Sequence, residues 1–279
     1  MLALGALLLL VPLFRASNRP LPLLVVELIG LGLLLHALRL PTRRFTLPRG
    51  LWWAMGLLLL LPLLQLLPLP AFLWAGLPGR QTYLEALQAA GVEPGSRPLS
   101  LIPHATEQAL LRLIPPVAVF LSAVTLPTEQ LRRLALLLLA MAAAQALLGL
   151  LQVGDGADSA LRLGNRFMGD SAVGTYVNRN HLAGLLIMTL PIALGLLAAA
   201  VGRPTRDLDT MSFRQRLARL GGLRYHRLVI HAALALVILV GLVFTRSRAG
   251  IGLGMLGILL SAGLFARRLG GRNVYGLLG

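Results

Sequence analysis

The sequence predicts an all-α fold, a polytopic transmembrane bundle of about eight helices, and three observations support this prediction. Hydrophobic residues make up 57% of the 279 residues and charged residues only 13%. Soluble domains carry about 25% charged residues, so this chain has too few to cover a water-exposed surface. The apolar residues also occur in long blocks that approach the roughly 20 residues a helix needs to cross a bilayer. We therefore expect one integral membrane domain over residues 1–279.

Eight apolar blocks define the predicted helices. They cover residues 2–14, 21–38, 51–67, 109–126, 134–151, 182–201, 228–244 and 251–266. The first block is short, but no positive charge precedes it and Arg15–Ala16–Ser17 is a poor cleavage site, so a spanning helix is favoured over a signal peptide. Pro115–Pro116 and Pro191 are expected to bend the fourth and sixth blocks. Gly250 and Gly254 form a GxxxG pattern, which predicts close helix packing in the eighth.

Three polar residues interrupt the apolar blocks, namely Glu27, Gln65 and Gln145. A carboxylate at membrane depth, as at Glu27, is expensive unless it has a function or a partner. A proton-relay role and a neutral, hydrogen-bonded role in the bundle are both compatible with the pattern.

The distribution of charge predicts how the helices are oriented. All 26 basic residues are arginine, against 10 acidic residues, for a net charge of +16. In a soluble protein this excess would suggest nucleic acid, but here the arginines lie between apolar blocks and match membrane topology and anionic lipid. The loops after the second, fourth and sixth blocks and the C-terminal tail hold 16 arginines, and the alternate loops hold nine. The positive-inside rule therefore places both termini in the cytoplasm, and no nucleic-acid partner is expected.

Metal and cofactor chemistry have no recognisable motif in this chain. The absence of cysteine excludes disulfides and thiolate ligands. The sequence contains neither an HExxH motif nor a Walker loop. We therefore expect neither a bound metal nor a cofactor.

Two stretches carry arginine at positions where arginine is unusual in a membrane protein, namely just before a transmembrane helix on the predicted outer side. Residues 174–184, GTYVNRNHLAG, lead into the sixth block, and residues 245–250, TRSRAG, lead into the eighth. Both lie on the side where few arginines are expected, and both precede a helix N-terminus that is already positive through the macrodipole. Asn178 or Asn180 can cap the sixth block, and Ser247 can cap the eighth.

A multiply charged anion would explain these arginines. The unpaired N–H groups of a helix N-terminus, together with the planar fork of arginine, form a site for phosphate or pyrophosphate. The alternative is that the arginines extend to outer-leaflet head groups while asparagine and serine act as ordinary caps. His181 is correspondingly either an interfacial residue or a participant in the chemistry.

Residues 174–194, GTYVNRNHLAGLLIMTLPIAL, and 245–260, TRSRAGIGLGMLGILL, resemble the O-antigen ligase family of bacterial inner-membrane proteins. The resemblance implies a GT-C-like glycosyltransferase that moves or polymerises glycan from an undecaprenyl-diphosphate carrier. The expected setting is the periplasmic face, in cell-envelope polysaccharide and lipopolysaccharide biosynthesis, with an acceptor lipid, glycan or protein. By this resemblance the substrate-binding residues would be Arg179 and Arg248, then Arg246, with Asn178, Asn180, His181 and Ser247 shaping the site and Arg166 a looser candidate.

The chain departs from the family at its C-terminal side. Members continue into a large periplasmic loop that carries a histidine proposed as general base, and no residue here matches that histidine. The resemblance therefore assigns no catalytic residue, and it implies either the N-terminal part of a longer architecture or a shortened relative that binds carrier lipid without transfer. Alternative functions are a lipid-linked glycan transporter or flippase, a non-catalytic membrane scaffold, and a peptidoglycan-type polymerase that would use Asp155, Asp158 or Asp170.

Overall fold

The computed structural model of the protein is mostly helical, as predicted, and describes residues 1–13, 19–41, 47–93, 95–162, 169–201 and 223–268. Its elements in chain order are α1 (Leu2–Leu10), α2 (Pro20–Leu38), α3 (Arg49–Leu66), β1 (Pro68–Leu69), α4 (Ala71–Ala75), α5 (Gln81–Ala89), β2 (Arg97–Pro98), α6 (Pro103–Arg112), α7 (Ile114–Val124), α8 (Thr128–Gly154), a 3₁₀ turn (Ala160–Arg162), α9 (Arg179–Val201), α10 (Leu223–Phe244) and α11 (Arg248–Arg268).

Six helical spans in the described part of the chain are long and apolar enough to cross a membrane. They are Pro20–Leu38, Arg49–Leu66, Pro103–Val124, Thr128–Gly154, Arg179–Ala200 and Tyr225–Phe244. By length and composition, the chain is therefore a multi-pass membrane protein.

The two outermost predicted helices differ from this pattern. The helix α1 has nine residues, and at about 1.5 Å per residue it reaches less than half of a hydrocarbon layer that is about 30 Å thick. The helix α11 has 21 residues, and its described apolar segment is Arg248–Leu264. Within the described residues, six of the eight predicted blocks correspond to apolar helices of at least 18 residues.

The proline positions have different effects on the backbone. Pro191 lies inside α9, which continues through it. Pro115 and Pro116 instead occupy the first turn of α7, and the helix assignment is interrupted at Leu113. A proline lacks the N–H that the first turn of a helix leaves unpaired, so the double proline lies at the start of α7, where the span Pro103–Val124 is interrupted.

The described residues form two compact units. The first comprises described residues within 1–22 and 128–279, where α9 packs against α8, α10 and α11, and α1 packs against α8. Its core is almost entirely buried and includes Leu139 of α8, Leu186 and Leu190 of α9, and Ile238 of α10. These residues come from three separate apolar spans, so packing within this unit is what fixes the ends of its helices relative to one another.

Small residues let the helices of the first unit approach closely. An ideal Cβ built on Gly241 of α10 would lie 2.6 Å from the Cβ of Ala146 in α8. One built on Gly250 of α11 would lie 2.7 Å from the Cβ of Ala183 in α9, and one on Gly254 would lie 2.6 Å from Leu242. The close packing predicted from the GxxxG pattern is therefore confirmed.

The second unit, Leu23–Pro127, combines helical spans with a small non-helical segment. The strands β1 and β2 pair antiparallel, with Pro68 opposite Pro98 and Leu69 opposite Arg97. Apolar side chains of α2, α3, α6 and α7 surround a cavity of about 600 Å³. The residues that line this cavity include Leu34, Trp52, Met55, Leu110 and Val117.

Candidate functional site

The two arginine-bearing helix starts lie next to each other at one end of the first unit. The backbone N–H of Ala172, in the loop before α9, donates to the carbonyl oxygen of Phe244 at 2.9 Å. Arg246 Nη1, in the turn before α11, lies 3.6 Å from Asp170 Oδ2. The close approach of Gly250 to Ala183 joins the first turns of the two helices. The sequence placed these stretches in separate loops, and helix packing brings them together.

Side chains cap both helices as the sequence predicted. Asn178 Oδ1 accepts a hydrogen bond from the backbone N–H of Asn180 at 2.9 Å, so Asn178 rather than Asn180 caps α9. Ser247 Oγ accepts from the N–H of Gly250 at 3.1 Å and caps α11. Each cap satisfies one of the N–H groups that a helix start leaves unpaired, and the macrodipole keeps both ends positive.

Three arginines surround these helix starts. Arg179 is half-buried, and its Nη1 donates to Ser171 Oγ at 3.2 Å. Arg248 is exposed as the first residue of α11, and among the described residues its side chain has no hydrogen bond or ion pair. Arg246 is exposed in the turn between α10 and α11. The arginines that the sequence ranked highest are thus all at this end of the unit, and Arg166 lies outside the described residues.

The turn that carries Arg246 is unusual. Arg246 has a φ of 53°, in the left-handed region that non-glycine residues rarely adopt and that costs about 1–2 kcal/mol. Thr245 is fully buried, and its hydroxyl donates to Leu242 O at 2.6 Å and accepts from the N–H of Ser247 at 3.3 Å. These bonds hold the turn and direct the chain from α10 into α11 with Arg246 at its tip.

At the two helix starts the described charged residues are three arginines and Asp170, whereas Asp155 and Asp158 lie in the loop after α8. Asp170 is the carboxylate that pairs with Arg246, and both partners are well exposed. An exposed pair of this kind contributes at most about 1 kcal/mol, so an incoming anion can displace Asp170 at little cost. His181 and Asn180 are exposed in the first turn of α9, directly after Arg179 in the chain.

A buried amide, Gln152 near the C-terminus of α8, holds the loop that leads to Arg179. Gln152 Oε1 accepts from the N–H groups of Val173 at 3.2 Å and Gly174 at 2.9 Å. Its Nε2 donates to the carbonyl oxygens of Gly174 at 2.7 Å and Leu161 at 2.9 Å. The amide thus makes four hydrogen bonds while fully buried, which is all that its two donors and two lone pairs allow.

Arg162 holds the other side of the same loop. It is 2% exposed, which is exceptional for an arginine. Its Nε donates to Gly156 O at 2.8 Å, its Nη1 to Ser171 O at 3.2 Å and its Nη2 to Gln152 O at 3.0 Å. The sequence assigned Arg162 only to an outward loop, but the structure uses it to fix the residue, Ser171, that contacts Arg179.

Gln145 also supports this loop, and its place in an apolar block is explained. Its Oε1 accepts from the N–H of Thr175 at 2.9 Å and lies 3.2 Å from the Thr175 hydroxyl, which donates to Pro12 O. Gly174 has a φ of +58°, and a Cβ there would collide with the Gln145 amide. Hydrogen bonding to Thr175 thus explains why Gln145 lies within an apolar block.

The next residue of the loop, Tyr176, packs against the core of the first unit. Burial raises the pKa of Tyr176 to about 12, because the ionised phenolate would be poorly solvated there. Tyr176 is therefore a neutral hydroxyl at any physiological pH and adds no charge to this end of the unit.

Two other features of the described residues give less indication of a function: the cavity of the second unit and the arrangement of possible metal ligands. The cavity of the second unit has an apolar lining, which suits hydrocarbon. Within the described ranges, no group of three or more His, Cys, Asp or Glu side chains is placed to hold a metal ion. No family model, curated protein or solved structure matches the chain, so its function is argued from the geometry of the two helix starts.

Proposed function

We propose that the chain is a membrane transferase of the O-antigen ligase type that binds an undecaprenyl-diphosphate-linked glycan at Arg179, Arg246 and Arg248. The observation that carries the proposal is the adjacency of two helix N-termini with these three arginines. In this proposal the site faces the periplasm of a bacterial inner membrane. The acceptor is a lipid, a glycan or a protein, and the resemblance of residues 174–194 and 245–260 to the family supports the reaction class.

The charge of the site suits a diphosphate. Each helix N-terminus contributes about half of a positive charge, and each guanidinium offers a planar pair of donors that matches two phosphate oxygens. Among the described residues, Asp170 is the carboxylate that pairs with one of these three arginines, and Asp155 and Asp158 are exposed in the loop after α8. A singly charged ligand would leave much of this positive charge uncompensated, and a diphosphate would not.

The same groups would assist transfer. The bond from the anomeric carbon of the sugar to the diphosphate oxygen breaks, and a bond from that carbon to the acceptor oxygen forms. The diphosphate leaves with the bonding electron pair, so fixed cations at that position lower the barrier. The acceptor hydroxyl loses its proton to a base, and the proposal assigns no residue to that role.

Binding by the purified full chain in nanodiscs tests the proposal. Undecaprenyl diphosphate carrying a labelled glycan is titrated against the parent and against Arg179→Gln and Arg248→Gln. Each substitution removes a charge-assisted contact worth about 1.5–3 kcal/mol, so the Kd should rise by about 10- to 100-fold. The matched control is Arg132→Gln, which removes an exposed arginine near the N-terminus of α8 and should leave the Kd unchanged.

The outcome also separates the competing functions. Equal binding by the parent and both variants would refute the site. Tight binding followed by movement of the labelled lipid across the membrane, with no new glycosidic bond, would favour a transporter over a transferase. Unaltered cell-surface glycan in cells that carry the two variants would favour a scaffold.

A further inference from the structure

A buried arginine lies in the segment between α3 and α6, in the second unit. Arg80 is only 6% exposed and precedes the first residue of α5. Its guanidinium carbon lies 4.8 Å from the ring centroid of Trp74, and its Nη2 donates to Leu99 O. Trp74 Nε1 in turn donates to Pro98 O at 2.9 Å. The arginine is thus fixed between an aromatic ring and the backbone that follows β2.

Part of this guanidinium is left without a partner. Arg80 Nη1 is buried, and no atom of the described residues accepts a hydrogen bond from it. Arg97, in β2, has the same property at its Nε. The two arginines are connected through the structure, because Arg80 binds the carbonyl oxygen two residues after Arg97.

The carboxylates in this segment do not neutralise the two arginines. Among the described residues, no ion pair joins Arg80 or Arg97 to an acidic side chain. Glu85 accepts instead from Gln81 at 3.1 Å, and Glu107 lies 3.7 Å from His104. The first turn of α5 contains no acidic residue and has no side-chain cap, so its dipole adds to the positive charge.

The backbone around the pair is well fixed. Ser96 Oγ donates to Leu69 O at 3.0 Å, and the Ser100 N–H donates to Gln65 O at 2.7 Å. Ser100 Oγ lies 2.7 Å from Thr106 Oγ1. The unpaired donors therefore lie beside hydrogen-bonded backbone at β1 and β2. A buried cation without a counter-charge is strongly destabilising unless a ligand supplies one.

We propose that Arg80 and Arg97, both in the second unit, form a binding site for a phosphate group. The guanidinium donors without partners would bind the phosphate oxygens, and Trp74 would hold the Arg80 plane in position. The phosphate belongs either to a lipid head group or to a free phosphate ion. This proposal does not depend on the proposed transferase function.

The fluorescence of Trp74 gives a direct measurement. The full-length chain is prepared in an uncharged detergent with Trp52→Phe and Trp53→Phe, so that Trp74 is the remaining tryptophan. Short-chain phosphatidylglycerol, the matched diacylglycerol and inorganic phosphate are titrated separately. Phosphatidylglycerol should change the emission saturably and diacylglycerol should not. A matching response to inorganic phosphate identifies the free ion as a ligand, and its absence identifies the lipid head group.

Three further variants in this background complete the test. Arg97→Gln is expected to weaken binding at least tenfold, and because Arg97 is only half-buried it should fold even if Arg80→Gln does not. Arg49→Gln, which removes an exposed arginine of the same unit, should bind like the parent. The site is refuted if phosphatidylglycerol and inorganic phosphate both leave the emission unchanged, or if Arg97→Gln binds phosphate as tightly as the parent.

Discussion

At the scale of single residues, three buried polar side chains of the first unit are stabilised by hydrogen bonds. They are Gln152, Arg162 and Gln145. Each is buried, and each hydrogen-bonds backbone or side-chain groups around the loop before α9. A loop at the end of a bundle cannot pair its own N–H and C=O groups as a helix does, and leaving them buried and unpaired is expensive. These three side chains supply the partners and thereby fix the residues around Arg179.

Replacement of Gln152 tests this role. In Gln152→Leu the side-chain volume is nearly kept, but the N–H groups of Val173 and Gly174 lose their acceptor. Because each unsatisfied buried group costs about 1–3 kcal/mol, we expect a loss of about 3 kcal/mol in stability and a Tm lower by several degrees in detergent. Cleavage by protease between residues 155 and 178 should become faster.

The control for this substitution is Gln65→Leu. Gln65 is a half-buried amide within α3, and the structure shows no hydrogen bond from its side chain to a described residue. Its replacement should leave the Tm almost unchanged. If Gln152→Leu kept the parent Tm and the parent cleavage rate, the loop would not depend on this amide.

At the scale of helices, contacts at glycine decide where the helix starts lie. Gly250 brings the first turn of α11 onto α9, and Gly241 brings α10 onto α8. Such approaches are favourable in membranes, where association depends on close van der Waals packing rather than on expulsion of water. The proposed anion site therefore depends on residues that carry no charge.

Exchange of side chains across one of these contacts tests the packing. Gly241→Ala places a methyl group 2.6 Å from the Cβ of Ala146 and should destabilise the chain by about 1–3 kcal/mol. The double variant Gly241→Ala/Ala146→Gly removes the 2.6 Å contact and leaves one of 3.2 Å to the Ala146 Cα, so it should recover most of the parent Tm. The measurement is thermal unfolding of the purified full chain in detergent.

A second glycine provides the matched control. No atom lies within 4 Å of an ideal Cβ on Gly252, so Gly252→Ala should be neutral or slightly stabilising through its higher helix propensity. If Gly241→Ala and Gly252→Ala changed the Tm equally, the close contact between α8 and α10 would have no energetic importance.

At the scale of the whole molecule, the distribution of arginine makes a prediction about orientation. The loops assigned to the cytoplasm carry 16 arginines and the alternate loops nine. Since the rule depends on lysine and arginine near the ends of the spans, Gly156 is expected outside and Pro127 inside. Alkaline phosphatase fused after Gly156 should be active, and the same enzyme fused after Pro127 should be inactive although equally expressed. An inactive fusion at Gly156 would reverse the orientation and place the proposed anion site on the cytoplasmic side.

Several features of the chain could be predicted because they depend on neighbouring residues alone. The helical class and six of the spans follow from the length and hydropathy of the apolar blocks. The caps at Asn178 and Ser247 follow from residue type just before a helix. The role of Gln152 also has a signal in the sequence. Gln145 and Gln152 are seven residues apart and therefore lie on the same face of α8.

The sequence by itself determined the long apolar helices and which residues carry the charge, since hydropathy, capping and composition are local properties. Only the tertiary structure decided that Arg179 and Arg246 belong to one end of one unit, and that Arg162 is buried as a support rather than exposed as a ligand-binding residue. Those outcomes depend on how α9, α10 and α11 pack and on which backbone groups their packing leaves without a partner. The side chain that hydrogen-bonds to such a backbone group can be many residues away, as Gln152 is from Gly174. No local sequence pattern specifies which side chain that is.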